Sequence, residues 1–131
     1  MKKKIMSVTL ASLLSLTFAV SSALAAGDQV VSTGVTGNNF SSTAIIDGQG
    51  KNGRLTLKVS GDAYGITSLS EKCSKSWVSK GLLNTNSVTN GGVVTANFYL
   101  KSGCQYKADL YGTGDGQATV WLYNYNGPIV P

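Results

Sequence analysis

Histidine is absent from this chain of 131 residues, and cysteine, proline and acidic residues are scarce. The lack of histidine excludes Ser-His-Asp and Cys-His nucleophile systems and zinc sites built on imidazole. The mature part also lacks the Ser-x-x-Lys spacing of lysine-assisted serine hydrolases. Six carboxylates remain, and no two are spaced to lie on one strand face, although distant carboxylates could still meet in a folded sheet. We therefore predict that the protein is not an enzyme and holds no metal or cofactor.

Long hydrophobic runs are missing apart from one near the N-terminus. Lys2 to Lys4 form a charged region, Leu10 to Val20 an apolar region, and Ala23 to Ala25 a small-residue cleavage site. These are the three parts of a secretory signal peptide, and the apolar run is shorter than the roughly 20 residues of a membrane span. We expect residues 1–25 to be removed, leaving residues 26–131 as one domain that a bacterial cell secretes without a membrane span.

Charge is too sparse in the mature chain to indicate a nucleic-acid partner. Three lysines leave with the signal peptide, so eight basic residues face six acidic ones. Nucleic-acid recognition usually needs a clustered basic face. We expect a secreted monomer without nucleic acid.

The mature chain has many glycines and few helix-forming residues, and this composition predicts strands joined by tight turns. All sixteen glycines lie in the mature part, with many Ser, Thr and Asn residues. Arg54 to Ser60 has the clearest period of two, because Leu55, Leu57 and Val59 alternate with polar residues. The chain is therefore predicted to be all-β, a small antiparallel β-sandwich of about seven strands.

Two cysteines, Cys73 and Cys104, are the only ones in a chain that carries an export signal. A single disulfide is the expected pairing in an oxidising compartment. The competing idea, a reactive Cys104, lacks the histidine that thiol catalysis normally uses.

The segment from Leu100 to Tyr111 resembles the tyrosine corner of immunoglobulin-like and fibronectin type III sandwiches. Leu100 ends one predicted strand, Gly103 turns the chain and Tyr106 opens the next strand. The resemblance implies that the Tyr106 hydroxyl bonds back to the corner. A jelly-roll-like sandwich is the alternative, because Cys104 lies in the corner itself.

An aromatic patch on the last two predicted strands is the candidate binding site. Gly112 to Gly116 is predicted to be a hairpin turn, since Asp-Gly supplies the positive φ angles of tight turns. Such a hairpin places five outward-facing side chains together, with Lys107 over Tyr123: Lys107, Asp109, Tyr111, Trp121 and Tyr123. Exposed aromatic patches mark partner surfaces. The competing interpretation is that residues 71–83, including Trp77, cover this face.

These features predict a secreted, non-enzymatic binding protein that engages an extracellular glycan or cell-surface component through its aromatic face. The alternative is a secreted effector, either an inhibitor of an extracellular hydrolase or an antimicrobial protein. An inhibitor would insert a rigid loop, for which Asn84 to Gly92 or Lys101 to Gln105 is available.

Overall fold

A computed structural model describes residues 27–128, and the predicted signal peptide lies outside them. The described part forms an antiparallel sheet of seven strands and one short 3-10 turn at Thr89–Gly92. The strands are β1 (Val30–Thr36), β2 (Asn39–Ser42), β3 (Ile46–Asp47), β4 (Lys51–Lys72), β5 (Val78–Asn86), β6 (Val93–Leu100) and β7 (Gln105–Tyr123). The predicted all-β class is confirmed.

Two long strands, β4 and β7, form the spine of the sheet. They pair from Arg54 opposite Tyr123 to Lys72 opposite Gln105. Half-sheet 1 consists of β2, β3, residues 105–112 of β7, residues 65–72 of β4, and β5. Half-sheet 2 consists of β1, residues 117–123 of β7, residues 51–60 of β4, and β6. Each half therefore has a width of four strands.

The hairpin predicted at Gly112 to Gly116 is wrong. This segment lies inside β7, and its residues pair with Gly61 to Gly65 of β4. Gly61 and Gly114 have φ angles of 71° and 88°, which L-residues with a Cβ rarely adopt. Two glycine-rich segments therefore pass this region side by side without losing their register. The residues that favour a tight turn also favour an irregularity within two long strands.

One hydrophobic core lies between the inner sides of the two half-sheets. Half-sheet 2 supplies Leu55, Leu57, Val59, Val120 and Leu122, and half-sheet 1 supplies Ile46, Leu69, Tyr106, Ala108 and Leu110. The halves approach closely at Gly65, where an added Cβ would lie 2.8 Å from Cγ2 of Val59. The predicted β-sandwich is consistent with this arrangement, while its immunoglobulin-like or jelly-roll-like class stays a prediction.

The disulfide and the corner lie where β6 of half-sheet 2 leads into β7 of half-sheet 1. Cys73 and Cys104 are joined, with their Cα atoms 4.3 Å apart. Gly103 has a φ of 88°, and the amide of Cys104 donates to the carbonyl of Lys101. The predicted disulfide is confirmed.

Candidate binding face

The outer side of half-sheet 1 carries three of the five predicted site residues. Tyr106, Ala108 and Leu110 of β7 are buried, so the alternating positions Lys107, Asp109 and Tyr111 face outward. This part of the predicted alternation is confirmed. Strands β2 and β4 pair with β7 and place their own side chains beside Lys107, Asp109 and Tyr111.

Tyr111 stands beside Phe40, a residue that the sequence did not mark as part of a site. Phe40 of β2 and Ile66 of β4 are the direct cross-strand partners of Tyr111. The Phe40 and Tyr111 ring centroids are 4.7 Å apart, and the two side chains are 54% and 52% exposed. We name Phe40, Ile66 and Tyr111 the Tyr111 face. It offers apolar ring surface to a partner.

A carboxylate held from three strands adjoins this face. Asp109 Oδ1 accepts a hydrogen bond from Ser42 Oγ of β2 at 2.5 Å, and its Oδ2 accepts one from Ser70 Oγ of β4 at 3.2 Å. Lys107 Nζ lies 3.8 Å from Oδ1. A carboxylate has room for about four hydrogen bonds, so Asp109 keeps capacity to accept from a ligand hydroxyl.

Lys107 faces a different aromatic ring from the one predicted. Its Nζ lies 4.8 Å from the centroid of the Trp77 ring, not over Tyr123, and Lys72 Nζ lies 5.7 Å from the same centroid. Trp77 belongs to the segment between the disulfide and β5. Trp77, in the segment expected to cover the face, therefore lies against Lys107.

Trp121 and Tyr123 lie on half-sheet 2, away from the other three predicted residues. Trp121 is half-buried between Ser32 of β1 and Thr56 of β4. The predicted contacts of Asp109 with Trp121 and of Lys107 with Tyr123 do not form, because the hairpin that would create them is absent. The predicted five-residue patch is wrong, and only Lys107, Asp109 and Tyr111 share a face.

Tyr123 is also covered, with 5% of its surface exposed. Tyr125 contacts its ring edge-on with centroids 5.5 Å apart, and a Cβ added at Gly127 would lie 2.3 Å from Tyr123 Cδ2. Arg54 holds this covering segment by donating to the Gly127 carbonyl and, at 2.5 Å, to Asn126 Oδ1. Burial raises the pKa of Tyr123. The prediction that Tyr123 is exposed is therefore wrong, because the chain that follows Tyr123 covers its ring.

The tyrosine corner forms as the resemblance implies. Tyr106 is fully buried, and its hydroxyl accepts a 2.7 Å hydrogen bond from the Lys101 amide. The same hydroxyl donates to Glu71 Oε2 at 2.6 Å, a buried partner that no local motif marks. Lys80 Nζ lies 3.7 Å from Glu71 Oε2. Burial, and then the bond to Glu71, raise the pKa of Tyr106.

One group of metal-ligating residue types occurs among residues 27–128, and its chemistry does not suit a metal. Glu71, Cys73 and Cys104 lie together. The two sulfur atoms are joined in the disulfide, whereas metal-binding cysteine is a thiolate. The group instead belongs to the covalent and polar packing around Tyr106.

The sheet brings together one pair of acids that sequence spacing does not reveal. Asp62 and Asp115 are direct partners of β4 and β7 at the glycine-rich region. Both are exposed to solvent. Acid and base roles in a carboxylate pair require surroundings that differ between the two groups. Asp62 and Asp115 share one exposed setting, so we do not assign them a catalytic role.

Comparisons of the chain with protein-family models, with curated proteins and with solved structures gave no match. Within the part of the chain that the structure describes, no helix is long and apolar enough to span a membrane.

Proposed function

We propose that this protein is a secreted, non-enzymatic binding protein that engages an extracellular glycan through the Tyr111 face. The observation that carries the proposal is the exposed Phe40 and Tyr111 pair beside Asp109. Ligand sites commonly combine aromatic surface with a few polar groups in fixed positions. Sugar rings match this combination, because they present C–H groups on one side and hydroxyls at the edge.

The shape of the surface favours a polymer over a compact ligand. Phe40, Tyr111 and Ile66 occupy one row across three adjacent strands. A polymer that crosses this row can continue along β7 over the outer side of half-sheet 1, whereas a compact ligand would contact the row alone. Secretion is supported by the predicted signal peptide and by the Cys73–Cys104 disulfide, because such bridges persist mainly in oxidising compartments.

A depletion assay with insoluble cellulose, chitin and peptidoglycan tests the proposal. The mature protein should leave solution with at least one of these polymers, and the double variant Phe40→Ala/Tyr111→Ala should bind it at least about tenfold more weakly, since about 1.4 kcal/mol corresponds to a factor of ten. Tyr99→Ala is the matched control, because Tyr99 is 55% exposed but lies on β6 of half-sheet 2. Thermal unfolding should show that all variants remain folded.

Two results would contradict the proposal. Loss of binding in Trp121→Ala, with full binding in the Phe40 and Tyr111 double variant, would place the site on half-sheet 2. Failure of the unaltered protein to bind any polysaccharide would remove the glycan function. A panel of secreted hydrolases and a growth-inhibition plate would then test the inhibitor and antimicrobial alternatives.

A further inference from the structure

Two lysine side chains lie against the Trp77 ring at one end of the outer side of half-sheet 1. Lys72 of β4 is the direct partner of Gln105, and Lys107 of β7 is the direct partner of Ser70. Both ammonium groups approach the same indole ring, at 5.7 and 4.8 Å from its centroid. We name Lys72, Trp77 and Lys107 the Trp77 cluster.

The indole ring holds the two ammonium groups without consuming their hydrogen-bond donors. A cation over a ring face is attracted by the ring quadrupole, while each lysine keeps three N–H donors. Lys72 has no carboxylate within ion-pair distance among residues 27–128, and Lys107 shares the Asp109 carboxylate at 3.8 Å. Lys75, in the same segment as Trp77, is exposed. The cluster thus presents fixed positive charge to an anionic group.

The Trp77 cluster is continuous with the Tyr111 face. Lys107 and Tyr111 are four residues apart on β7, about 13 Å at the rise of a strand, and Asp109 lies midway on the same side. A polymer lying along β7 would contact the aromatic pair at one end and the lysines at the other. Two carboxylates also face this side: Asp47 lies in the same cross-strand row as Lys72, on the other side of Gln105, and Asp109 lies between Lys107 and Tyr111. The positive charge is therefore confined to the lysines that contact the Trp77 ring.

We propose, resting on the proposed function, that the glycan is an acidic polysaccharide whose anionic groups bind Lys72 and Lys107 beside Trp77. The aromatic pair contacts the sugar rings, and the lysines select the charge. Asp109 repels an anion placed at its own position. The anionic group of the bound chain therefore lies at the Trp77 end of β7 and not above the Tyr111 face.

Cellulose and phosphocellulose provide matched probes, because the same glucan carries phosphate in only one of them. The unaltered protein should bind phosphocellulose at least tenfold more tightly than cellulose, and Lys72→Gln/Lys107→Gln should remove that gain. Lys72→Gln alone, which keeps the contact between Lys107 and Asp109, should reduce the gain and leave binding to cellulose unchanged. Lys51→Gln/Lys58→Gln is the control, since it removes two charges from the β4 segment of half-sheet 2. Raising the salt concentration should weaken only the lysine-dependent part, because salt screens exposed charges.

The outcomes separate this inference from the proposed function. Equal losses in the two lysine double variants would show attraction by net charge and would overturn the inference. Equal binding of the unaltered protein to both polymers would overturn it as well, while sensitivity to Phe40→Ala/Tyr111→Ala would leave the proposed function standing. Binding to phosphocellulose that needs the lysines but not Phe40 and Tyr111 would overturn the proposed function and, with it, the selection of a charged glycan.

Discussion

At the residue scale, Tyr106 shows how one buried hydroxyl joins segments that are distant in sequence. It accepts from the Lys101 amide in the corner and donates to Glu71 at the end of β4. The corner bond follows from a local motif of a few residues. The bond to Glu71 depends on the register of β4 against β7, in which Glu71 is the direct partner of Tyr106. Sequence spacing therefore predicts the first bond and not the second.

Tyr106→Phe should lower the free energy of unfolding by about 2 to 3 kcal/mol, because hydrogen bonds to charged groups contribute more than neutral ones and a buried carboxylate loses its donor. The destabilisation caused by Tyr106→Phe should become smaller above pH 10. An unfolded tyrosine releases its proton near pH 10, whereas burial and Glu71 raise the pKa of Tyr106 in the folded protein. The unfolded state then binds fewer protons, so stability falls as pH rises, by up to about 1.4 kcal/mol per pH unit.

Urea unfolding of the two proteins from pH 8 to pH 11 checks this expectation. The difference in unfolding free energy between the unaltered protein and Tyr106→Phe should be constant below pH 10 and decrease above it. Tyr111→Phe is the control, because Tyr111 is exposed on β7 and should leave the pH dependence unchanged. Parallel curves for Tyr106→Phe and the unaltered protein would refute the role given to Tyr106.

At the element scale, alternation predicts which side of a strand is buried but not which strands pair. The inward positions Ala108, Leu110, Val120 and Leu122 are as predicted, because burial of one face requires a period of two. The cross-strand pairing predicted for Tyr111 is wrong, because Gly112 to Gly116 has the composition of a turn but continues as part of β7. The predicted loop from Asn84 is likewise shorter, because β5 extends to Asn86. Phe40 joins the site only through pairing that the sequence does not display.

Gly114→Ala should destabilise the fold much more than Gly91→Ala. Both glycines have positive φ, at 88° and 66°, so each substitution should cost about 1 to 2 kcal/mol in backbone strain. A Cβ at Gly114 would lie 2.2 Å from the carbonyl oxygen of Asp62, whereas one at Gly91 meets nothing within 4 Å. Gly114→Ala should therefore cost about 1 to 3 kcal/mol more through overpacking. Urea midpoints measure the difference, and equal midpoints would show that β4 and β7 do not approach closely there.

At the scale of the whole molecule, cross-links hold together the two half-sheets and the two ends of the described part of the chain. Asn124 is fully buried, and its amide nitrogen donates to the carbonyls of Gly27 and Asp47 at 3.0 and 2.8 Å. Its Oδ1 accepts from the Gln29 amide at 2.6 Å. Asn124 therefore fastens the start of the described chain and the β3 region to the segment that follows β7. The disulfide does the same for the end of β4 and the β6–β7 corner.

Removal of the disulfide should affect both stability and the Trp77 cluster. The bridge closes a loop with a sequence separation of 31 residues, and its loss should cost about 3 to 4 kcal/mol because the unfolded chain regains conformational freedom. Cys73 lies four positions before Trp77, so the loss also frees the segment that places the ring against Lys72 and Lys107. The Tyr111 face lies on β2, β4 and β7, outside that segment.

Cys73→Ser/Cys104→Ser should therefore unfold at lower urea concentration and, while folded, bind phosphocellulose more weakly with unchanged binding to cellulose. The unaltered secreted protein should have an intact mass two protons below that of the dithiol form and should resist alkylation until it is reduced. Alkylation of both thiols without reductant would contradict the bridge. Equal weakening on both polymers would show that the disulfide supports the whole face, since the Tyr111 face would then depend on it as much as the Trp77 cluster does.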